Sequence, residues 1–405
     1  MNSDHKKIYE RTFLNFLFLK EYDFFSKMNK EGSLFLNYTL RPYLKSELLA
    51  KAIFVVISLF FFPIILWEFI FFSFKKLLHP NRTTKKINNI YINASAPNEF
   101  EIGLTKNLFK SDILILEFPY LMKKYEVNKV RIEQILGYKS YFKALCYSIY
   151  SSFFLFFKYG LNGGFYGITS YRFFLMYEFL KTLPENTNIF FNNQKDRWAL
   201  LFDSISGLRK NLIQHGTNIV RSRQELSNKF LSYDADRNLY YIDMPFKLKN
   251  IDTLYAFSAD EVKYILLGEQ EPKKDLNIEI IGYPINLSTI EKNNNKRSLL
   301  IVGCCDLYFS EEVQILSLID FEKWRVFLKP HPTMGTKNYQ KLNKYHIELI
   351  GGRYFPDVDL VFSYSSTLAF EYESCGKQVI YYDDIREENS MKISKFKVLT
   401  VLAQC

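Results

Sequence analysis

Cysteine is scarce: Cys146, Cys304, Cys305, Cys375 and Cys405 are five in 405 residues, an odd number with no paired spacing. That pattern excludes a disulfide framework and a Cys/His zinc set, and it fits a reducing compartment. Glycine, at 16 residues, builds neither a dinucleotide fingerprint nor a P-loop. Its densest stretch, Gly160-Leu161-Asn162-Gly163-Gly164-Phe165-Tyr166-Gly167, reads as a mobile connector, with close backbone approach to a substrate as the alternative. No compact Lys/Arg block or nucleic-acid motif is present, so nucleic acid is not an expected partner. No solenoid repeat appears. Met1–Glu10 is polar and no cleavable apolar core follows, so no secretory signal is expected.

What the chain has in plenty is aromatic and basic residues. There are 39 Phe and 29 Tyr, 48% of residues are hydrophobic, and the formal charge is +10. The length suits two ordinary domains plus an extension, with enough apolar mass for a substantial core. The charge has two readings. One is solubility together with an AT-rich coding bias toward Lys, Asn, Ile and Phe; the other is attraction to anionic lipid headgroups or polyanionic substrates.

Ala52–Phe74 is almost uninterrupted apolar sequence between Lys51 and Lys75-Lys76, long enough to cross a bilayer. Pro63 would kink such a helix and Glu68 would be costly in lipid. Both flanks are basic, which gives a crossing no preferred direction. A membrane-embedded but non-crossing helix or hairpin is preferred, with a true crossing and a buried soluble helix as the alternatives. Tyr141–Phe157 is shorter and reads as a core helix or one lying under a membrane-facing surface.

From Lys86 the pattern becomes short strands alternating with helices. Strands are expected at Ile87–Ile92, Ile113–Leu116, Asn188–Asn192 and Asn211–Ile213, with helices at Leu121–Leu136, Thr169–Leu183 and Trp198–Leu208. Polar Arg221–Asn238 interrupts this series. A second begins near Leu254, with strands at Thr253–Phe257, Ile278–Gly282, Leu299–Gly303, Trp324–Leu328, His346–Ile350, Asp359–Phe362 and Gln378–Tyr382. The simplest architecture is α/β: two Rossmann-like domains with ligands at the carboxyl ends of the strands, preceded by an apolar, membrane-associating helical extension. The expected boundaries are 1–84, 85–250 and 251–405.

Three polar pieces fall at strand ends: Gln214-His215-Gly216-Thr217, Lys329-Pro330-His331-Pro332, and Ser363-Tyr364-Ser365-Ser366-Thr367 with Glu371 one turn into the following helix. A strand, a hydroxyl-rich turn and a helix N-terminus together aim N–H and O–H donors at one point, which suits a phosphate. An ordinary helix cap for the serines, and packing roles for the histidines, remain the plain alternatives. Asp196, at the edge of the Asn188–Asn192 strand, is a second candidate base or nucleophile, or else a solvated carboxylate. Arg221 and Arg223 suit a carboxylate or phosphate, or form a solvated basic loop.

In this order, these pieces resemble bacterial surface-polysaccharide transferases with a GT-B fold. That group includes capsule and lipopolysaccharide Kdo transferases, bacterial sialyl- and polysialyltransferases, and CDP-glycerol polyol-phosphate polymerases. Gln214-His215-Gly216 looks like their QHG or WHG element, Lys329–Pro332 like K-P-H-P, and Ile281-Gly282-Tyr283-Pro284 like the G-Y-P turn before the donor domain. Ser365-Ser366 with Glu371, Gly376, Lys377 and Ile380 looks like their S-S…E…G-K-P-V-I segment, with Gln378 standing where proline is usual. The resemblance spans roughly Asn188–Tyr382.

The resemblance implies transfer from a nucleotide-activated sugar, plausibly CMP-linked Kdo or sialic acid, to a glycan or lipid-linked acceptor at the cytoplasmic face of an anionic membrane. It gives donor-phosphate binding to Lys329, His331, Ser365, Ser366 and Thr367, a ribose bond to Glu371, and the base role to His215. Neither Asn193–Asp196 nor Cys305-Asp306 makes a D-x-D element, so no divalent metal or other cofactor is expected. Two rivals are a CDP-glycerol-type polyol-phosphate transferase and a catalytically inert, membrane-anchored assembly subunit; Gln378 motivates the second.

Overall fold

In the computed structural model the described residues are 4–27, 47–79, 87–92, 114–116, 118, 129–194, 196–216, 219–220, 231–235, 239–242, 248–262, 275–283, 285–290, 296–303, 305–330, 339, 342, 344–352, 354–387 and 392–404. They form two compact units, Met1–His215 with Asp243–Ile280, and Gly216–Ile242 with Ile281–Cys405.

The first unit is built on a parallel sheet. Its strands are β1 (Asn89–Ile92), β2 (Leu114–Leu116), β3 (Lys129–Val130), β4 (Asn188–Phe191), β5 (Arg209–Ile213), and two supplied from further along the chain. Ile90, Tyr91, Ile92, Ile189, Phe190 and Phe191 are fully buried. Strands covered on both faces become continuous apolar runs, which is why these segments lack alternation. The second unit contains β6 (Ile219–Val220), β7 (Leu231–Asp234) and β8 (Leu239–Ile242) in a small antiparallel sheet. The sequence showed only a polar interruption there.

The strands at Thr253–Ala256 (β9) and Asn277–Ile280 (β10) correct the expected division. β9 pairs with β5 and β10 with β9, so both complete the first sheet, in the order β10-β9-β5-β4-β1-β2-β3. Strand alternation alone does not say which sheet a strand joins. Pairing across more than forty residues decided it, with Asn211 beside Thr253. The expected helix at 121–136 is also revised: Lys129–Val130 is a strand and only Ile132–Ile135 is helical, while 121–128 lie outside the described residues.

The second parallel sheet has β11 (Arg297–Val302), β12 (Trp324–Lys329), β13 (Ile347–Leu349), β14 (Leu360–Ser363) and β15 (Gln378–Tyr381), in the order β13-β12-β11-β14-β15. Every pairing is parallel. In both units the chain winds outward from the first strand and then returns to lay the fourth on its other edge.

The N-terminal helices are α1 (Asp4–Lys27), α2 (Glu47–Leu59) and α3 (Phe61–Leu78). Tyr9, Phe13, Phe61, Ile65 and Phe72 join the same core as Ile90 and Ile189. The Tyr9 hydroxyl donates to Tyr166 O (2.9 Å), and the Tyr166 hydroxyl donates to Thr12 Oγ1 (2.9 Å). Among the described residues no single helix is long and apolar enough to cross a membrane; α2 and α3 meet at 67°. Pro63 accounts for the break. It has no N–H to give to Leu59, and its ring crowds that carbonyl, so one helix ends at Leu59 and the next begins with proline in its first turn.

Two further helices, α4 (Tyr138–Tyr159) and α5 (Ser170–Thr182), follow the expected positions. The glycine-rich stretch between them is not a loop: Leu161–Gly167 is helical. A Cβ at Gly163 would stand 2.1 Å from Leu155 O, and one at Gly164 would stand 2.3 Å from Ser58 O. The glycines let this short helix press against α4 and α2, so here they serve packing.

Candidate functional site

In the second unit the winding reverses between β11 and β14, where open α/β sheets bind ligands outside the strand carboxyl ends. The hydroxyl-rich turn Ser363–Thr367 leaves β14 at that point and leads into α8 (Thr367–Ser374); the preceding helices are α6 (Arg197–Ser204) and α7 (Cys305–Leu316). Ser366 is buried and caps α8, accepting from the Ala369 N–H (3.1 Å). The Ser363 hydroxyl donates to Tyr364 O (2.7 Å) and lies 3.0 Å from Ser366 Oγ. These bonds set the turn's shape and commit Ser366 to it. Ser365 and Thr367 are half-buried at the helix mouth.

Glu371, one turn inside α8, is partly buried, and burial pushes its carboxyl up to about 7 against the opposing pull of Lys329. Lys329 ends β12 and is itself buried, which lowers its pKa, while Glu371 raises it. Its ammonium donates to Gly352 O (2.8 Å) and Tyr354 O (3.0 Å) and sits 4.4 Å from the Phe355 ring centroid. Lys329 therefore pins the segment after β13 to the end of β12. That is a structural duty beside the phosphate role expected of it.

Two features were not foreseen. Tyr308, on α7, stacks on Tyr364 with centroids 5.2 Å apart and planes at 12°. Behind it the Arg386 guanidinium lies 5.6 Å from the Tyr308 ring, bonded to Glu311 (2.7 Å) and to Asp383, which lies on α9 (Tyr382–Ile385). Both Arg386 and Glu311 are buried. A buried cation held between two carboxylates fixes its surroundings firmly, because loss of one partner strands a charge. No local pattern in the sequence marks this cluster, since its members are drawn from two segments 75 residues apart. Gly216, which belongs to the second unit, has φ +80°, and a Cβ on it would stand 3.2 Å from Thr367 Oγ1. Glycine thus suits both its backbone angle and its closeness to the helix mouth.

In the first unit the corresponding reversal lies between β1 and β4. Asp196 follows β4 and caps α6. Its Oδ1 accepts the Trp198 (3.0 Å) and Ala199 (3.1 Å) N–H groups, and its Oδ2 accepts from Asn193 Nδ2 (2.6 Å). Burial raises its pKa, offset by the Ala199 and Asn193 bonds and by Arg197. Gln214 is fully buried and splices β5 to β9: its N–H donates to Tyr255 O (2.9 Å) and its Oε1 accepts from the Phe257 N–H (2.6 Å). His215, the next residue, is exposed at the strand end. His331, Pro332, Arg221, Arg223, Thr217 and Pro284 lie outside the described residues. Among the described residues no group of three or more His, Cys, Asp or Glu is placed to hold a metal ion.

No family model matches this chain, and no curated protein matches it. Among solved structures it is similar to the wall teichoic acid polymerase TagF soaked with CDPG, at 11% identity and TM-score 0.40, covering 79% of this chain and 80% of that one. It is similar to Anabaena Alr3699/HepE in complex with UDP and glucose, at 12% identity and TM-score 0.41, covering 79% and 89%. MurG from Acinetobacter baumannii follows at 10% identity and TM-score 0.33, covering 78% and 83%. Likeness this distant carries nothing about chemistry, which rests on the residues of this chain.

Proposed function

We propose that the chain is a metal-independent glycosyltransferase of the GT-B kind that takes a sugar from a nucleotide-activated donor. The observation that supports this most is the turn Ser363–Thr367, fixed by its own serines at the winding reversal of the second sheet and opening onto a helix N-terminus. As the bond from sugar to phosphate breaks, the leaving phosphate gathers negative charge. The Ser365 and Thr367 hydroxyls and the first N–H groups of α8 are donors suited to that charge, and the helix dipole adds to them. Ser366 holds the turn in shape. Glu371, titrating near neutrality, accepts a ribose hydroxyl when ionised.

In this reading His331 meets a donor phosphate oxygen beside the strand end that Lys329 secures. His215 takes the acceptor's proton, with Asp196 as the alternative base already occupied in capping. Arg221 and Arg223 meet an acidic sugar's carboxylate. The donor class that fits is a CMP-linked acidic sugar such as Kdo or sialic acid. The acceptor is a bacterial surface glycan, capsule or lipopolysaccharide in kind, built at the cytoplasmic face of the membrane.

Turnover assays with CMP-sugar, UDP-sugar and CDP-glycerol test this directly. The expected result is release of the nucleotide from a CMP-sugar, cut by roughly 100-fold or more in His215→Ala and His331→Ala with the fold intact. Near-normal turnover in both variants would remove the roles given to these histidines. Turnover of CDP-glycerol alone would make the chain a polyol-phosphate transferase.

A further inference from the structure

The first unit carries an apolar face that its own core does not cover. On α3, residues Phe61, Ile65, Glu68, Phe72 and Lys76 form the buried stripe. Arg172 Nε donates to Glu68 Oε1 (2.6 Å), and Lys76 Nζ donates to Glu133 O (2.6 Å). Glu68 and Lys76 are thus turned inward, and apart from Lys75 the outer side of this helix is apolar. Phe60, Trp67, Phe74, Leu77, Phe142 and Phe157 all stand more than half exposed. The α4 residues continue the α3 surface directly: Phe153 lies 5.1 Å from Phe61 and 6.0 Å from Phe62, ring centre to ring centre. Cys146, Ile149, Tyr150, Phe153 and Phe157 line an open apolar groove along α4. An exposed patch of this extent marks an interaction surface.

The charges around it identify the occupant. Along α2, α3 and α4 the lysines Lys51, Lys139, Lys143 and Lys158 are exposed and Lys75 half-buried, against two acids, Glu47 and Glu68; Glu68 is buried and paired, and Lys158 also pairs with Glu10 of α1. A twofold contact between copies would set lysines against lysines. An anionic bilayer would receive the apolar side chains in its acyl boundary and the lysines among its headgroups. The geometry points to a monotopic lipid-binding face: α2, α3 and α4 lie in the interface of an anionic phospholipid bilayer and do not cross it. The inward stripe holds α3 to the domain along its length, about 27 Å for 18 residues, so the helix is not free to extend through the bilayer. This inference does not depend on the transferase reading.

The protein carries its own probe. Of the three tryptophans, Trp198 and Trp324 are buried, at 3% and 5% exposure, while Trp67 is 66% exposed. The full chain is mixed with vesicles of phosphatidylcholine alone, or of phosphatidylcholine with phosphatidylglycerol, and followed by flotation and tryptophan emission. The expected result is salt-sensitive flotation with the anionic vesicles, a blue shift, and quenching by brominated acyl chains. Trp67→Phe should abolish the shift and retain most of the flotation. Leu77→Glu with Phe157→Glu should lower partitioning by roughly 100-fold while leaving circular dichroism unchanged. Alkaline carbonate should strip the bound protein from the vesicles. Equal binding of the double variant, resistance to carbonate, or no binding of the wild-type chain would overturn the inference. So would a dimer in solution whose Trp67 is already blue-shifted without lipid.

Discussion

The two parallel sheets reverse their winding in the same way, yet the helices that start there are capped by different chemistry. In the first unit the cap is a carboxylate. Asp196 takes two N–H groups of α6 and the Asn193 amide, placing a negative charge at the positive end of that helix. In the second unit the cap is the neutral hydroxyl of Ser366, flanked by the further hydroxyls of Ser365 and Thr367. A helix N-terminus that already holds a carboxylate has no call for a phosphate, whereas one capped by a hydroxyl keeps its field for a ligand. The proposed seat for an anionic donor therefore falls in the second unit.

The largest effect should come from the partly buried carboxyl one turn inside α8. Glu371 holds its proton up to about pH 7 in the folded chain, against an ordinary value of 4.5. Between those values the folded state binds a proton that the unfolded state has lost, so Glu371 makes stability fall as pH rises through that window. Glu371→Gln should flatten that slope and stabilise the chain above pH 7, by on the order of a few kcal/mol at most. The check is denaturant unfolding across pH; an unchanged slope would mean that Glu371 is not strained by burial.

Giving the second unit the first unit's chemistry sharpens the contrast. Thr367→Asp places a fixed anion at the α8 mouth and should weaken nucleotide binding by about 100-fold in calorimetry, with little change in melting temperature. In the first unit, Gln214→Ala leaves the buried Phe257 N–H unpaired and should cost roughly 1–3 kcal/mol in chemical unfolding without touching nucleotide affinity. The smallest pair of effects concerns the α6 cap. Asp196→Ala should cost about 1 kcal/mol, and Asp196→Asn, which still accepts a backbone N–H, much less. Loss of turnover in Asp196→Asn at unchanged stability would instead make Asp196 the base.

The strand, turn and helix of the second unit's candidate site were legible because they are local. A buried strand, the hydroxyls of Ser363, Ser365, Ser366 and Thr367, and a helix start occupy Leu360–Ser374 without a gap, and the structure places the strand and the helix so. The sheet allegiance of Thr253–Ala256 and Asn277–Ile280 was not legible, because it is set by pairing with Arg209–Ile213 across the polar stretch that became the antiparallel sheet. Arg386 escaped notice for a similar reason, its partner Glu311 being far along the chain. The glycines at 163 and 164 misled by composition: the same absence of a side chain that frees a loop also lets one helix lie tight on another. Pro63 was legible in both respects, as a break in the apolar run and as the residue that ends α2 at Leu59.

The most direct test of the donor seat is calorimetric titration of cytidine and uridine mono- and diphosphates into the wild-type chain and into Ser365→Ala with Thr367→Val. One nucleotide class should bind the wild type, and the paired variant should lose most of that affinity while keeping its melting temperature. Binding of no nucleotide, or equal binding by both proteins, would contradict a phosphate seat at the mouth of α8.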